Sequence, residues 1–207
     1  ISTQGGTGIN ISIDTIIKSQ KNQMYLVHRL DKDTSGALII SKNYKTTRFF
    51  SNLFREKKIN KIYIAICEGA PKKNNGIIKL SIKNKANKKK KNFLTFENNK
   101  ISETKYQLLD YKNNMSLIIF IPLTGKMHQI RIVAQHLGCS ILGDNKYGKL
   151  KDNKNKKNRL MLHALGLSFH YYDNKCEYFA DIDIETIENF NKIGFKIPTK
   201  NILQEYI

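Results

Sequence analysis

Acidic residues and cysteines are both scarce in this 207-residue chain, and each scarcity excludes something. Asp and Glu total 17 against 36 Lys and Arg, a formal net charge of +19. A polyanion is therefore the natural partner, with nucleic acid ahead of a membrane surface. A Lys-, Asn- and Ile-rich codon bias accounts for part of the excess. The three cysteines, Cys67, Cys139 and Cys176, are far apart and odd in number. They form no CxxC pair and no Cys/His cluster of zinc spacing, which argues against a disulfide framework and a metal site. They read as small core residues of a reducing compartment. No apolar run approaches the ~20 residues of a membrane span. No signal peptide is visible, although the chain begins with Ile rather than Met, so targeting stays open. The Gly-rich opening Gln4–Gly8 lacks a following Gly-Lys-Ser/Thr and reads as a loop, not a phosphate cradle.

Hydrophobic residues make up 40% of the sequence and recur along its whole length, enough for a core in one catalytic domain spanning 1–207. Residues Met24–Val27 and Ala37–Ser41 read as short strands bracketing a polar turn. From Lys45 to Lys57, Phe49, Phe50, Leu53 and Phe54 recur at helical spacing and predict a core-facing stripe. Lys61–Cys67 alternates, with Ile62, Ile64 and Ile66 on one side and Lys61, Tyr63 and Ala65 on the other, which predicts a half-buried strand. Thr104–Tyr111 and Ser116–Ile121 predict two strands joined by a turn at 112–115. Ile130, Val133, Ala134 and Leu137 predict a helix that Gly138 ends. Leu160–Phe169 is strand-like, and a mixed tail follows. Strands dominate without a βαβ rhythm, so the expected class is α+β. Two Lys/Asn-rich stretches, 83–91 and 149–158, are too polar for a core. They are either arms that grip phosphates or solvated insertions.

The segment Val27-His28-Arg29-Leu30-Asp31-Lys32-Asp33-Thr34-Ser35-Gly36 packs charged and turn-forming residues between two apolar strands. Such loops on rigid scaffolds often hold catalytic groups. Chemistry alone leaves Asp31 and Asp33 evenly divided between turn-capping and function.

His28-Arg29-Leu30-Asp31-x-x-Thr34-Ser35-Gly36 resembles the signature of the RluA-type pseudouridine synthases, whose nucleophile is the aspartate after the leucine. Lys61-x-Tyr63-x-Ala65-x-x-x-Gly69 resembles their second motif. Leu123–Arg131 is similar to their Thr-Gly-Arg-x-His-Gln-Ile-Arg run. It continues into Ile141-x-Gly143-Asp144-x-x-Tyr147-Gly148 and Leu162-His163-Ala164. Four ordered motifs thus cover roughly residues 4–169. There are departures: Lys126 stands where Arg is usual, Val133 where His or Gln is common, and Ser140 and Tyr171 where Pro is frequent. Lys126 keeps the charge but not the bidentate geometry.

The resemblance implies a mixed, mainly antiparallel sheet with flanking helices and a central basic cleft. It implies that Asp31 attacks a flipped uridine, at the ribose anomeric carbon or at carbon 6, without cofactor or metal. It also implies that Tyr63 stacks on the uracil. Arg131, on the polar side of the predicted helix with His128 and Gln135, would form an ion pair that orients Asp31 and keeps it charged. Its expected RNA-binding residues are His28, Arg29, Thr34, Lys126, His128 and Gln129, joined by Lys154, Lys156 and Lys157 of the second basic stretch. His128, His136 and His163 are read chiefly as structural hydrogen-bonders. Gly143-Asp144 and Tyr147-Gly148 read as a supporting turn. The expected substrate is large-subunit ribosomal RNA, acted on by a monomer in the bacterial cytoplasm or an organelle, with an RNA-binding module ahead of residue 1 left open. Transfer RNA or small-subunit RNA as substrate is one rival. A silent RNA-binding assembly factor is the other, and the intact Asp31, Tyr63 and Arg131 set argues against it.

Overall fold

The computed structural model describes residues 3, 11–20, 23–81, 101–148 and 159–207. The Gln4–Gly8 opening and the two Lys/Asn-rich stretches, with Lys154, Lys156 and Lys157, lie outside the described residues.

Alternating and continuous apolar runs build the sheet. Strand β4 (Asn60–Glu68) sits near its middle, flanked by β7 (Met115–Pro122) and β8 (Leu162–Tyr171), both antiparallel to it. Outward from β7 come β6 (Ile101–Lys112) and β5 (Asn75–Ser81). The other edge of β8 is shared by β2 (Ser35–Gly36) and β9 (Asn174–Phe179). The β2–β8 pair is parallel and every other pair in this seven-stranded sheet is antiparallel. The α+β, mainly antiparallel expectation therefore holds.

Ile62, Ile64 and Ile66 are buried as the alternation predicts, but so are Ala65 and Cys67. The second half of β4 is covered on both faces, and only its start is half-buried. The reason is β4's position, since a central strand with packed layers loses its solvent face. The β6–β7 turn falls at Asn113-Asn114, both left-handed at φ 51 and 58. Asn tolerates that conformation, and a two-residue turn of this hand matches strand twist.

Helix α3 (Gln129–His136) lays Ile130, Val133 and Ala134 into the main core, and Gly138 follows its end at φ 80. Phe190, Phe195 and Leu203 complete that core from the C-terminal segment, which includes α4 (Ile184–Ile193) and α5 (Lys200–Gln204). Each such fully buried Leu, Ile or Phe is worth about 1.5–3 kcal/mol. Helix α2 (Tyr44–Arg55) packs instead on a smaller cluster, with Phe50, Leu53 and Phe54 against Ile59, Leu167 and Phe169. None of its residues is fully buried, so its stripe covers a satellite of the core. Two short pieces complete this region. Helix α1 (Ile13–Ser19) is capped by Ser12, and β1 (Tyr25–Leu26) pairs with β3 (Ile40–Ser41) at the two expected strand positions.

Candidate active site

The Asp31 loop is short, polar and fastened at both ends. On its near side, Thr3 exchanges two hydrogen bonds of 3.1 Å with the backbone of Leu30. Within the loop, the Thr34 amide donates to the Asp31 carbonyl at 3.0 Å, a tight turn that fixes where the Asp31 side chain leaves the backbone. On the far side, Ser35 and Gly36 pair with His163 and Ala164 of β8. Gly36 is at φ +110, and a Cβ there would collide with the Ala164 carbonyl oxygen, so glycine is required.

Two histidines, His28 half-buried and His163 buried, hold this arrangement. The ring of His28 stacks on Phe54 at 4.6 Å, and its Nε2 accepts the Ile39 amide at 2.8 Å. Burial, helped by the charge of Lys61, lowers its pKa to about 4. A neutral ring with Nε2 accepting carries its proton on Nδ1. His28, expected on RNA, ties the front of the loop to the segment after it and also lies on the cleft wall. His163 contacts the Ser35 hydroxyl through Nδ1 at 2.8 Å. Ser35 also donates to Asp183 at 3.3 Å. Asp183 caps α4 through the Thr186 amide and pairs with Arg159, one contact measuring 2.8 Å. Although burial pushes the Asp183 carboxyl up, Arg159 and Thr186 pull it down to about 2. The loop is thereby linked to the C-terminal helix.

From the opposite wall, β4 presents Tyr63 toward Asp31. Burial and then the Asp31 charge raise the Tyr63 pKa, so the phenol keeps its proton at neutral pH. The third component is α3. Its first residue follows His128, a non-glycine residue in the left-handed region at φ 54. His128 Nδ1 lies 3.0 Å from the Tyr147 hydroxyl, a structural bond as the residue type suggested.

Arg131 corrects the expectation. It is 8% exposed, on the buried side of α3 rather than a polar one. Its bidentate partner is Asp144, with Nε and Nη2 donating at 2.7 and 2.6 Å. Asp144 also accepts the amides of Lys146 and Tyr147, both at 2.9 Å. Burial alone would lower the Arg131 pKa and raise that of Asp144. Their mutual bonds reverse both shifts, and the Asp31 charge adds to the effect on Arg131. Asp144 therefore fixes the geometry of Arg131, which lies close enough to feel the Asp31 charge. The turn at 143–148 that carries Asp144 has the supporting role expected of it.

Gln129 is a second correction. Its amide oxygen accepts from the Thr124 hydroxyl and the Lys126 amide, and its NH₂ donates to the Glu103 carbonyl and the Thr104 hydroxyl, at 2.8–2.9 Å. Two acceptor and two donor positions are all that an amide offers. Gln129 is a buried brace with no capacity left for RNA.

These parts surround a cleft of about 1010 Å³. Asp31, Tyr63, Thr34, Arg29 and Lys126 lie on its wall, with His28 and Gln129, while His128 and Arg131 stand behind it. The Thr34 hydroxyl is buried and has no hydrogen-bond partner among the described residues. Sequence reading overlooked Arg55, Lys57 and Lys61 on the same wall. The signal for Lys61 was present, two residues before Tyr63 on the same side of an alternating strand. Burial lowers its pKa, and no carboxylate among the described residues lies within ion-pair distance of it. Five cations against Asp31 and Glu103 make the cleft electropositive around one loop carboxylate.

The described residues thus form a mixed-sheet domain with a basic cleft, one carboxylate on a braced loop and a tyrosine on the cleft wall. A family model for RNA pseudouridylate synthase matches residues 13–136, more than half the chain, and the chain belongs to that family. A ribosomal large subunit pseudouridine synthase C of Rickettsia bellii is 46% identical over 156 residues, 73% of this chain and 52% of that protein. A ribosomal large subunit pseudouridine synthase D of Borreliella burgdorferi is 38% identical over 168 residues, 81% of this chain and 51% of that one. The chain thus spans about half the length of these relatives. The solved structure of human RNA Pseudouridylate Synthase Domain Containing 4 shares the fold, with a TM-score of 0.78 and 22% identity over 96% of this chain and 88% of that one.

Proposed function

We propose that this chain isomerises uridine to pseudouridine in large-subunit ribosomal RNA. The observation that carries the reading is the loop carboxylate of Asp31, lining with Tyr63 a cleft whose cations outnumber its carboxylates. The names of its relatives point to the same substrate. A uridine inside a helix exposes neither its glycosidic bond nor its base, so the nucleotide is flipped into the cleft, where Tyr63 offers a stacking face. The Asp31 carboxylate attacks the ribose anomeric carbon or carbon 6 of the ring. The bond from nitrogen 1 to ribose breaks and the uracil turns. Carbon 5 then bonds to the same anomeric carbon, the bond between Asp31 and the carbon it attacked breaks to return the free carboxylate, the carbon 5 proton leaves, and nitrogen 1 gains one. Atoms and electrons balance within one nucleotide. The Arg131–Asp144 pair positions charge behind Asp31.

Arg29, Lys61 and Lys126 on the wall supply phosphate contacts, and Lys154, Lys156 and Lys157, outside the described residues, are expected to add to RNA affinity. Activity is expected of the monomer, in the compartment that holds the ribosomes.

The test is incubation with unmodified transcripts of large-subunit RNA, small-subunit RNA and transfer RNA, followed by pseudouridine mapping. Pseudouridine confined to the large-subunit transcript is the expected result. Pseudouridine in either other RNA would move the substrate assignment. Tight binding with no pseudouridine in any of them would make the chain a silent RNA-binding factor.

A further inference from the structure

Helix α2 leaves the cleft at Phe54 and Arg55 and runs outward about 16 Å to Tyr44 at 1.5 Å per residue. Away from its packed side, Tyr44, Arg48 and Arg55 fall within about 40° of one another at 3.6 residues per turn, and all three are exposed. From Lys42 to Arg55 the chain carries four cations and no acid. The β8–β9 turn lies against the same helix, with the ring of Tyr171 meeting Phe49 edge-on at 5.2 Å and Tyr172 at 4.9 Å. Tyr171, Tyr172 and Tyr44 are 43%, 74% and 73% exposed.

Tyr172 opens a two-residue turn at φ +52, a conformation that suits glycine or asparagine. A bulky ring there bears a steric cost that burial does not offset, because most of it faces water. Aromatic faces beside uncompensated cations suit unpaired bases and their phosphates, since every base has a stacking face and every linkage a negative charge. An apolar protein partner would have to bury those cations unpaired.

We propose that this track, Tyr172, Tyr171, Arg48 and Tyr44, binds single-stranded RNA flanking the nucleotide held in the cleft. The proposal rests on the RNA reading above and adds a second site to it. At 3.4 Å per nucleotide along a stacked strand, 16 Å of helix corresponds to about five nucleotides beyond the cleft.

The experiment measures binding of oligouridylates of about five and about fifteen nucleotides to wild type, Tyr172→Gly, Tyr172→Phe and the pair Tyr172→Gly/Arg48→Gln. Glycine suits the backbone at 172, so thermal stability should not fall. Wild type and Tyr172→Phe should bind the longer strand more tightly than the shorter. The double variant should lose about tenfold on the longer strand alone, the size of one stacked base. Wild-type affinity of the variants for both lengths would overturn the proposal and leave the patch to a protein partner. Equal losses on both lengths would overturn it too, by placing these residues at the cleft. If wild type bound neither strand, the RNA reading itself would fall.

Discussion

Arg131 is held by a carboxylate thirteen positions further along the chain, and that distance sets what each substitution does. Removing one member of a buried ion pair strands the other without solvent, typically at ~3–5 kcal/mol. Arg131→Met is therefore expected to lower stability by about that much and to reduce activity. The double variant Arg131→Met/Asp144→Leu should recover stability without recovering activity, a contrast that thermal unfolding and turnover separate. His28 gives a pH dependence. Its folded pKa of about 4 lies below the ordinary 6.5, so the unfolded chain binds the extra proton between those values. Stability from His28 is thus complete above about pH 6.5 and is lost as pH falls toward 4. His128 and His163, lowered first by burial, work in the same direction. In His28→Gln the amide oxygen can still accept from Ile39. Its melting temperature should fall less steeply with acid than that of wild type.

The Asp31 loop depends on a two-residue strand that no periodicity could show. Gly36→Ala forces a Cβ onto the Ala164 carbonyl and a side chain onto φ +110. The expected cost is at least about 2 kcal/mol, with activity lost because Asp31 moves with β2; calorimetry and turnover measure both. Other elements were readable in the sequence for plain reasons. Helix α3, the β6–β7 hairpin and β4 combine clean periods with strong end signals at Gly138 and Asn113-Asn114. The C-terminal α4 was missed although Asp183 and Gly194 bracket it and Ile184, Ile187, Phe190 and Ile193 recur near helical spacing; that its cap also serves the distant Ser35 is a long-range link no local pattern shows. In the site, motif residues found the cleft, yet motif membership did not separate those with free polar groups on its wall from those that brace it. Gln129 and His28 belong to the second group because their partners, Thr104, Glu103, Ile39 and Phe54, come from other elements. Asp144 was legible as support, but not as the partner of Arg131.

Across the whole molecule, a net charge of +19 fits a polyanionic partner, and the proposed chemistry falls to the Asp31 carboxylate at the cleft. The two contributions separate experimentally. Replacing Lys154, Lys156 and Lys157 with Gln should weaken binding of all RNAs alike and flatten its salt dependence by about one unit of slope per lost contact. The modified uridine should stay the same. Superimposable salt curves for wild type and triple variant would free that stretch from any role in binding. Removing the carboxylate should do the reverse. The most direct measurement compares pseudouridine formed in large-subunit RNA by wild type, Asp31→Asn and Asp33→Asn, with RNA affinity measured in parallel. Asp31→Asn should bind RNA as wild type does and form no pseudouridine, while Asp33→Asn stays active. Pseudouridine formed at the wild-type rate by Asp31→Asn would contradict the account.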